Sequence, residues 1–178
     1  MNYKRLFIEN GIIFITFVTS KRRNILIENI NILRKSFIET KNIFTFEITA
    51  ICVLPNHIHM IIKPENIKEY PLIIKMIKSI FSRNIDISTI KGYEVSESKK
   101  QKNEKDIWQR RYYEHTIRNI DDLNKHIDYI HYNSMKHYNI APKNWKYSTF
   151  KKFVKNGYYD LNWCNFEDKN NIKEMDLE

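Results

Sequence analysis

Hydrophobic and polar positions in the first third of the chain follow the periods of a strand, a helix and a second strand. Residues 12–18 form a short apolar run that predicts a strand. Residues 28–40 carry apolar side chains at helical spacing and predict an amphipathic helix. Over 44–52, apolar residues alternate with threonine and glutamate, which is the period of a half-buried strand.

A third strand is predicted directly after a short break at Pro55–Asn56, and it contains two histidines. Residues two apart on a strand point to the same face, so His57 and His59 project from one side while the apolar residues between and after them enter the core. Two imidazoles on one face are half of a metal site, because neutral histidine is the commonest metal ligand. The alternative is a pair of surface or core-edge histidines without a ligand.

The second half of the chain continues the alternation of helices and strands. Residues 68–81 predict a helix, 107–117 a strand and 120–137 a further helix. Between them, residues 91–106 are polar and charged and predict a mobile loop. The order β-α-β-β-α-β-α predicts an α+β fold of the ferredoxin-like, split βαβ type, with one extra helix.

Composition fits one compact domain over residues 1–164, because 42% of the 178 residues are hydrophobic and only three glycines and four prolines occur. No apolar run reaches the length of about 20 residues that spans a bilayer, so no membrane contact is expected. The first residues lack the pattern of a signal peptide, and Cys52 and Cys164 do not have the spacing of metal ligands. These features predict a cytoplasmic protein.

The charge of the chain is strongly basic, with 30 lysines and arginines against 21 acids and a net charge of +9. Residues 165–178 hold five acids and two lysines and predict a flexible acidic tail; the rest keeps 28 basic and 16 acidic residues, or +12. Lysine and arginine neutralise phosphates, and aromatic side chains stack on unpaired bases, so the composition favours a nucleic-acid partner. An AT-rich genome that encodes many lysines would give the same charge.

The last predicted helix carries a second group of chemically capable residues. Tyr129 and Asn133 are four residues apart, which is about one helical turn, so their side chains share a face. A phenol and a carboxamide arranged in this way can supply a nucleophile and a third metal ligand. An ordinary amphipathic helix with a buried tyrosine would show the same spacing.

Together, these motifs resemble the single-tyrosine HUH transposases, named for histidine, a hydrophobic residue and histidine, and among them the REP-associated tyrosine transposases. The resemblance rests on the order of five segments: 11–16, 57–59, 107–113, 128–133 and 145–150. It covers the chain from about residue 3 to residue 150. Ser134 and Tyr138 depart from the family, which usually has a proline and a glycine at these places.

The resemblance implies a transposase that cleaves and rejoins single-stranded DNA near hairpins, with Tyr129 as nucleophile and a 5′-phosphotyrosine intermediate. It implies Mg²⁺ or Mn²⁺ held by His57, His59 and Asn133, and no small-molecule cofactor. The chain would act as a monomer or a homodimer. Two alternatives remain from the residues: a replication-initiator or relaxase-like nickase with the same site, and a non-catalytic nucleic-acid-binding protein.

Several other polar residues are weaker candidates. Guanidinium groups bind phosphate through two hydrogen bonds, although each could instead form a surface ion pair. The predicted DNA contacts are Arg5, Arg110, Arg111 and Arg118. His115 is expected to make a structural hydrogen bond. His126 lies three residues before Tyr129, so it either borders the site or, by default, is exposed to solvent. His131 and His137 lie on the same predicted helix without an assigned role.

Overall fold

The computed structural model describes residues 7–95, 97–101 and 105–164. Arg5 and the predicted tail at 165–178 therefore lie outside the described residues. Four antiparallel strands form one sheet in the order β2-β3-β1-β4. The strands are β1 (Ile13–Val18), β2 (Phe46–Val53), β3 (His57–Pro64) and β4 (Tyr113–Thr116). This is the strand order of a ferredoxin-like sheet, so the predicted α+β fold is confirmed.

Helices cover both faces of the sheet. They are α1 (Ile30–Lys41), α2 (Tyr70–Asn84), α3 (Glu97–Lys100), α4 (Ile120–Tyr138) and α5 (Phe150–Lys155). One hydrophobic cluster joins the sheet to α1 and α2, and a second joins the opposite face to α4 and α5. Among the described residues, no helix is long and apolar enough to cross a membrane.

Strand alternation explains how one sheet serves two cores. On β1, Phe14 and Thr16 face α4, and the residues on either side of them face α1 and α2. On β3, Ile58 and Met60 join the α1–α2 core, as predicted, and the histidines point to the other face. The α4 side is covered as well, so seven of the eight residues of β3 are buried.

The last strand is shorter than predicted. The structure begins β4 at Tyr113, and Trp108 makes only an isolated bridge to Thr19. The polar segment before it contains α3, and Asp106 at its end is buried against Lys99 and Arg23. Buried charges are stable only when they are paired, so these two contacts fix the end of the segment. The mobility of the rest of 91–106 stays a prediction.

Helix α4 positions the tyrosine segment and has well-defined ends. At its start, the side chain of Asn119 accepts a hydrogen bond from the backbone N–H of Asp122, which caps the first turn. The helix runs without a break through Ser134 and Tyr138, where the family pattern has a proline and a glycine. It ends at Asn139, which takes the left-handed conformation with φ 53° that asparagine tolerates at a helix end.

Candidate active site

His57 and His59 lie side by side on β3 and face α4. Their ring centroids are 4.8 Å apart, and both side chains are almost completely buried. Each histidine has its Nδ1 atom in a hydrogen bond. The Nδ1–H of His57 donates to Asn56 Oδ1 at 2.5 Å, because an amide oxygen only accepts, and a hydrogen bond of 2.7 Å joins His59 Nδ1 to Thr16 Oγ1.

These hydrogen bonds determine which nitrogen of each ring can bind a metal. A metal-ligating histidine almost always uses its second ring nitrogen in a hydrogen bond that fixes the ring orientation. Here Nδ1 has that role in both rings, so a metal ion would be bound through the buried Nε2 atoms. The two Nδ1 hydrogen bonds therefore orient the rings as expected for a pair of metal-binding histidines.

Tyr129 and Asn133 reach the same place from α4. The Tyr129 ring lies 5.2 Å from the His59 ring, centroid to centroid, and its side chain is fully buried. Asn133 Nδ2 donates to the backbone oxygen of Tyr129 at 2.6 Å, which fixes the orientation of the amide. Asn133 Oδ1 is buried and has no hydrogen-bond partner among the described residues. A buried carbonyl oxygen in that condition is costly, and a bound cation would remove the cost.

His137 lies beside the two strand histidines, although the sequence analysis assigned it no role there. Its ring centroid is 5.0 Å from that of His57, and one ligand nitrogen from each of His57, His59 and His137 lies within 4.8 Å of the other two. Tyr129, Asn133 and His137 follow one another at intervals of four residues. That spacing on one helix face was the signal that could have identified the third histidine.

A cation lies beside the tyrosine. Lys136 Nζ donates a hydrogen bond of 3.4 Å to Tyr129 Oη and is 5.1 Å from the centroid of the tyrosine ring. The sequence analysis named no base for the phenol and considered Arg111 as a nearby cation; it did not single out Lys136, which lies seven residues from Tyr129 along the chain. Two turns of α4 bring them to the same side of the helix.

A second group of metal-compatible side chains lies at the start of α4. His115 Nε2 is 2.9 Å from Asp122 Oδ2, His126 Nδ1 is 3.1 Å from Asp122 Oδ1, and the two imidazoles stack at 4.6 Å. Burial opposes ionisation of Asp122, but hydrogen bonds from His115 and from the backbone N–H of Arg118 outweigh it and lower the pKa of the carboxyl. Burial also lowers the pKa of His126, which favours its neutral form.

The default expectation that His126 is exposed to solvent was wrong. His126 and His131 are both buried. His131 faces α5, where hydrogen bonds of 2.9 Å to Thr149 Oγ1 and 3.2 Å to Tyr159 Oη engage its two ring nitrogens. Burial lowers its pKa to about 3. A histidine held in this way is structural, and it attaches the C-terminal segment to α4.

The predicted DNA contacts are not all brought together. Arg110, Arg111 and Arg118 are exposed to solvent. Arg110 borders a cavity beside α2, whereas Arg118 lies just before α4 and uses its backbone N–H to bind Asp122. Their contacts with DNA stay predictions, as does the role of Arg5.

Comparison with known proteins identifies the family of the chain. Residues 8–133 match the family described as "Transposase IS200 like". A Haemophilus influenzae protein, designated a candidate REP-associated tyrosine transposase, is 38% identical over 91% of this chain and 92% of its own length. The REP-associated tyrosine transposase of Escherichia coli is 32% identical over 91% of this chain and 90% of its own length.

A solved structure of a REP-associated tyrosine transposase bound to a REP hairpin is also similar. It superposes with a TM-score of 0.75, at 32% identity over 93% of this chain and 92% of that chain. The sequence likeness and the structural likeness thus extend over nearly the whole chain. The chain therefore belongs to the IS200-like transposase family, in the branch of the REP-associated tyrosine transposases.

Proposed function

We propose that this transposase cleaves and rejoins single-stranded DNA beside a hairpin, with Tyr129 Oη as the nucleophile. The observation that carries the proposal is the position of the Tyr129 ring, 5.2 Å from that of His59 within a single chain. The relative bound to a REP hairpin supports a folded, palindromic DNA partner. The net charge of +9 supports the same class of partner, because cations on the protein replace the counterions of the phosphates.

The donor atoms of the site fit a divalent ion. His57, His59 and Asn133 would hold it, and His137 is near enough to add a further nitrogen. Such an ion would act as a Lewis acid on a non-bridging phosphate oxygen. Family resemblance favours Mg²⁺ or Mn²⁺, and a set of two or three imidazoles favours Mn²⁺ over Mg²⁺, which prefers oxygen ligands.

The reaction conserves the energy of the bond that is broken. Tyr129 Oη forms a bond to phosphorus and loses its proton, while the bond from phosphorus to the 3′ oxygen breaks. One DNA end then carries a free 3′-hydroxyl, and the other is a 5′-phosphotyrosine. Lys136 supports the attack, since a positive charge beside a phenol favours the phenolate. The reverse reaction with another 3′-hydroxyl rejoins the strand.

The arrangement of the site supports a complete active site within one chain. The histidines of β3 and the tyrosine of α4 come from the same protomer, so no partner's helix has to be exchanged. A monomer is therefore sufficient for cleavage. Analytical ultracentrifugation of the DNA complex would test this, and one protein chain per cleaved hairpin is the expected stoichiometry.

End-labelled oligonucleotides test the chemistry. A single strand with an imperfect palindrome should yield a covalent protein–DNA adduct that carries the label placed 3′ of the cut, and a label 5′ of the cut should run as free DNA. A perfect duplex of the same sequence should not be cut, and a chelator should stop the reaction. Tyr129→Phe should form no adduct, whereas Tyr132→Phe on the same helix should still form it. Adducts of the opposite polarity, or adducts with Tyr129→Phe, would refute the proposal.

A further inference from the structure

A cavity of about 280 Å³ lies beside α2, on the side of the sheet away from Tyr129. Helix α2 forms one wall with Lys75, Lys78 and Ser79, and the segment before β4 forms the other. Ile74 and Trp108 line the cavity and belong to the core between the sheet and α1–α2, whereas Tyr129 belongs to the opposite core. The cavity is thus a separate feature from the tyrosine site.

The lining of the cavity is positively charged. Lys75, Lys78 and Arg110 contribute cations, and no acidic side chain among the described residues lines it. Lys78 Nζ donates a hydrogen bond of 2.7 Å to the backbone oxygen of Gln109, which holds it at the wall. Burial, together with the nearby charge of Lys99, lowers the pKa of Lys78 to about 8. A cation in such surroundings gains from an anion placed next to it.

The same cavity offers flat apolar surfaces. Trp108 and Tyr112 line it, and Trp108 is fixed by a hydrogen bond of 3.1 Å from its Nε1 to the backbone oxygen of Lys78. Aromatic rings next to cations are the combination that binds unpaired nucleotides, because the base stacks on a ring and the phosphate meets the charge. Hydroxyl groups of Ser79 and Ser82 add hydrogen-bonding groups at the edge.

The end of β1 connects this cavity to the active site. Val18 pairs with His57 on one side, and on the other its backbone oxygen accepts a hydrogen bond of 2.9 Å from the N–H of Gln109. The backbones of His57 and Gln109 are therefore separated by two strand spacings, or about 10 Å. The cavity and the strand histidines therefore lie near the same end of β1, on opposite faces of the sheet.

We infer that the cavity binds one unpaired nucleotide of the same DNA strand that Tyr129 attacks, a few nucleotides from the cleaved phosphate. The inference rests on the proposed function. The base stacks on the half-buried Tyr112, beside the small exposed part of Trp108, and the adjoining phosphate meets Arg110 and Lys75. The cavity therefore contributes a base-dependent step of recognition that the hairpin alone does not provide.

Abasic scanning combined with substitution at Tyr112 tests this inference. A series of hairpin oligonucleotides, each with one flanking nucleotide made abasic, is titrated by fluorescence anisotropy against the full chain in the presence of a chelator. Tyr112→Leu should weaken binding of the intact oligonucleotide by roughly tenfold, the effect of losing one base stack. At one abasic position the substitution should have no further effect. If the losses of binding free energy from Tyr112→Leu and from the abasic nucleotide added up at every position, the inference would be overturned.

Matched variants distinguish binding in the cavity from a loss of folding and from a general loss of positive charge. Tyr112→Phe keeps the ring and should keep the wild-type pattern of abasic losses, which controls for folding. Lys75→Gln and Arg110→Gln should weaken binding more than Lys35→Gln and Arg34→Gln on α1; equal effects would count against the cavity. Because cleavage does not occur with the chelator, this result is independent of the proposed chemistry. A failure of the proposed function would show separately, as absence of an adduct with the wild-type chain and metal.

Discussion

Two groups of histidines on the α4 side of the sheet both place three potential ligand atoms within 4.8 Å of one another, but they differ in how those atoms are used. We call His57, His59 and His137 the strand cluster, and His115, Asp122 and His126 the cap cluster. In the cap cluster, the Asp122 carboxylate contacts both histidines of the cluster and accepts a hydrogen bond from the backbone N–H of Arg118. In the strand cluster, the Nδ1 atoms of His57 and His59 form hydrogen bonds with neutral oxygens outside the group.

This difference leads us to expect a metal site at the strand cluster and a structural connection at the cap cluster. A metal ion at the cap cluster would have to replace hydrogen bonds that already satisfy Asp122. At the strand cluster the hydrogen bonds orient the rings and remain when a metal binds. Proximity of potential ligand atoms is therefore a weak criterion for a metal site. The hydrogen-bond partner of the second ring nitrogen of each histidine is a better criterion. We expect metal at the strand cluster, with the cap cluster joining β4 to the first turn of α4.

The largest effect should come from removing one ligand of the strand cluster. His59→Ala should abolish metal-dependent adduct formation and reduce binding of Mn²⁺ to background, because two-point coordination by β3 is lost. His115→Ala changes the cap cluster and should retain both. Titration of Mn²⁺, followed by electron paramagnetic resonance, measures the binding. If His115→Ala lost the metal and His59→Ala kept it, the assignment of the two clusters would be reversed.

A smaller effect is expected from the hydrogen bond behind His59. Thr16→Val removes Oγ1 and keeps the branched shape that suits a strand. Loss of such a supporting hydrogen bond typically costs about 10- to 100-fold in metal affinity. Thr116→Val on β4 is the control and should leave Mn²⁺ affinity unchanged. Equal affinities in the two variants would show that Thr16 does not orient the ligand.

The cap cluster should affect stability and leave metal affinity unchanged. Asp122→Asn should lower the free energy of unfolding at pH 7 by about 2 kcal/mol, because hydrogen bonds to a charged group are lost. The folded-state pKa of Asp122 is below its ordinary value, so its contribution is present above about pH 4 and is lost as the pH falls through the folded-state pKa.

Asp121→Asn is the matched control for that variant. Asp121 is exposed in the same first turn of α4, so its loss removes only a favourable interaction with the helix dipole, about 0.5 kcal/mol. Urea unfolding at pH 7 and at pH 3 measures both variants. The difference between Asp122→Asn and the wild type should shrink at pH 3, and a constant difference would contradict the role given to the carboxylate.

Local rules were sufficient for part of this site. The shared face of His57 and His59 follows from the period of a strand, and the shared face of Tyr129 and Asn133 follows from the period of a helix. The fold followed from the order of such elements. The cap cluster could not be predicted in the same way, since His115 and Asp122 meet only through the pairing of β4 with β1 and the packing of α4.

The burial of histidines was equally inaccessible from sequence. His126 and His131 occupy polar-looking positions on α4, yet His115 of β4 covers His126 and α5 covers His131. The cavity beside α2 depends on the isolated bridge between Thr19 and Trp108, in a segment where the sequence predicted a continuous strand. The buried histidines and the cavity all depend on contacts between separate elements of the fold. Such contacts leave no periodic pattern in the sequence.

The smallest effect is expected at Arg118, which lies next to the cap cluster. Its backbone and its side chain are expected to have different roles, and substitution changes only the side chain. Its backbone N–H donates to Asp122 Oδ2 at 2.9 Å, and a substitution of the exposed side chain leaves that bond in place. Arg118→Ala should therefore not change the melting temperature. If the guanidinium contacts a phosphate, binding should weaken similarly for all DNA sequences, and the slope of log affinity against log salt should fall by about 1. Arg34→Ala on α1 is the control, and an unchanged slope in Arg118→Ala would assign this arginine to the solvent-exposed surface without a role in binding DNA.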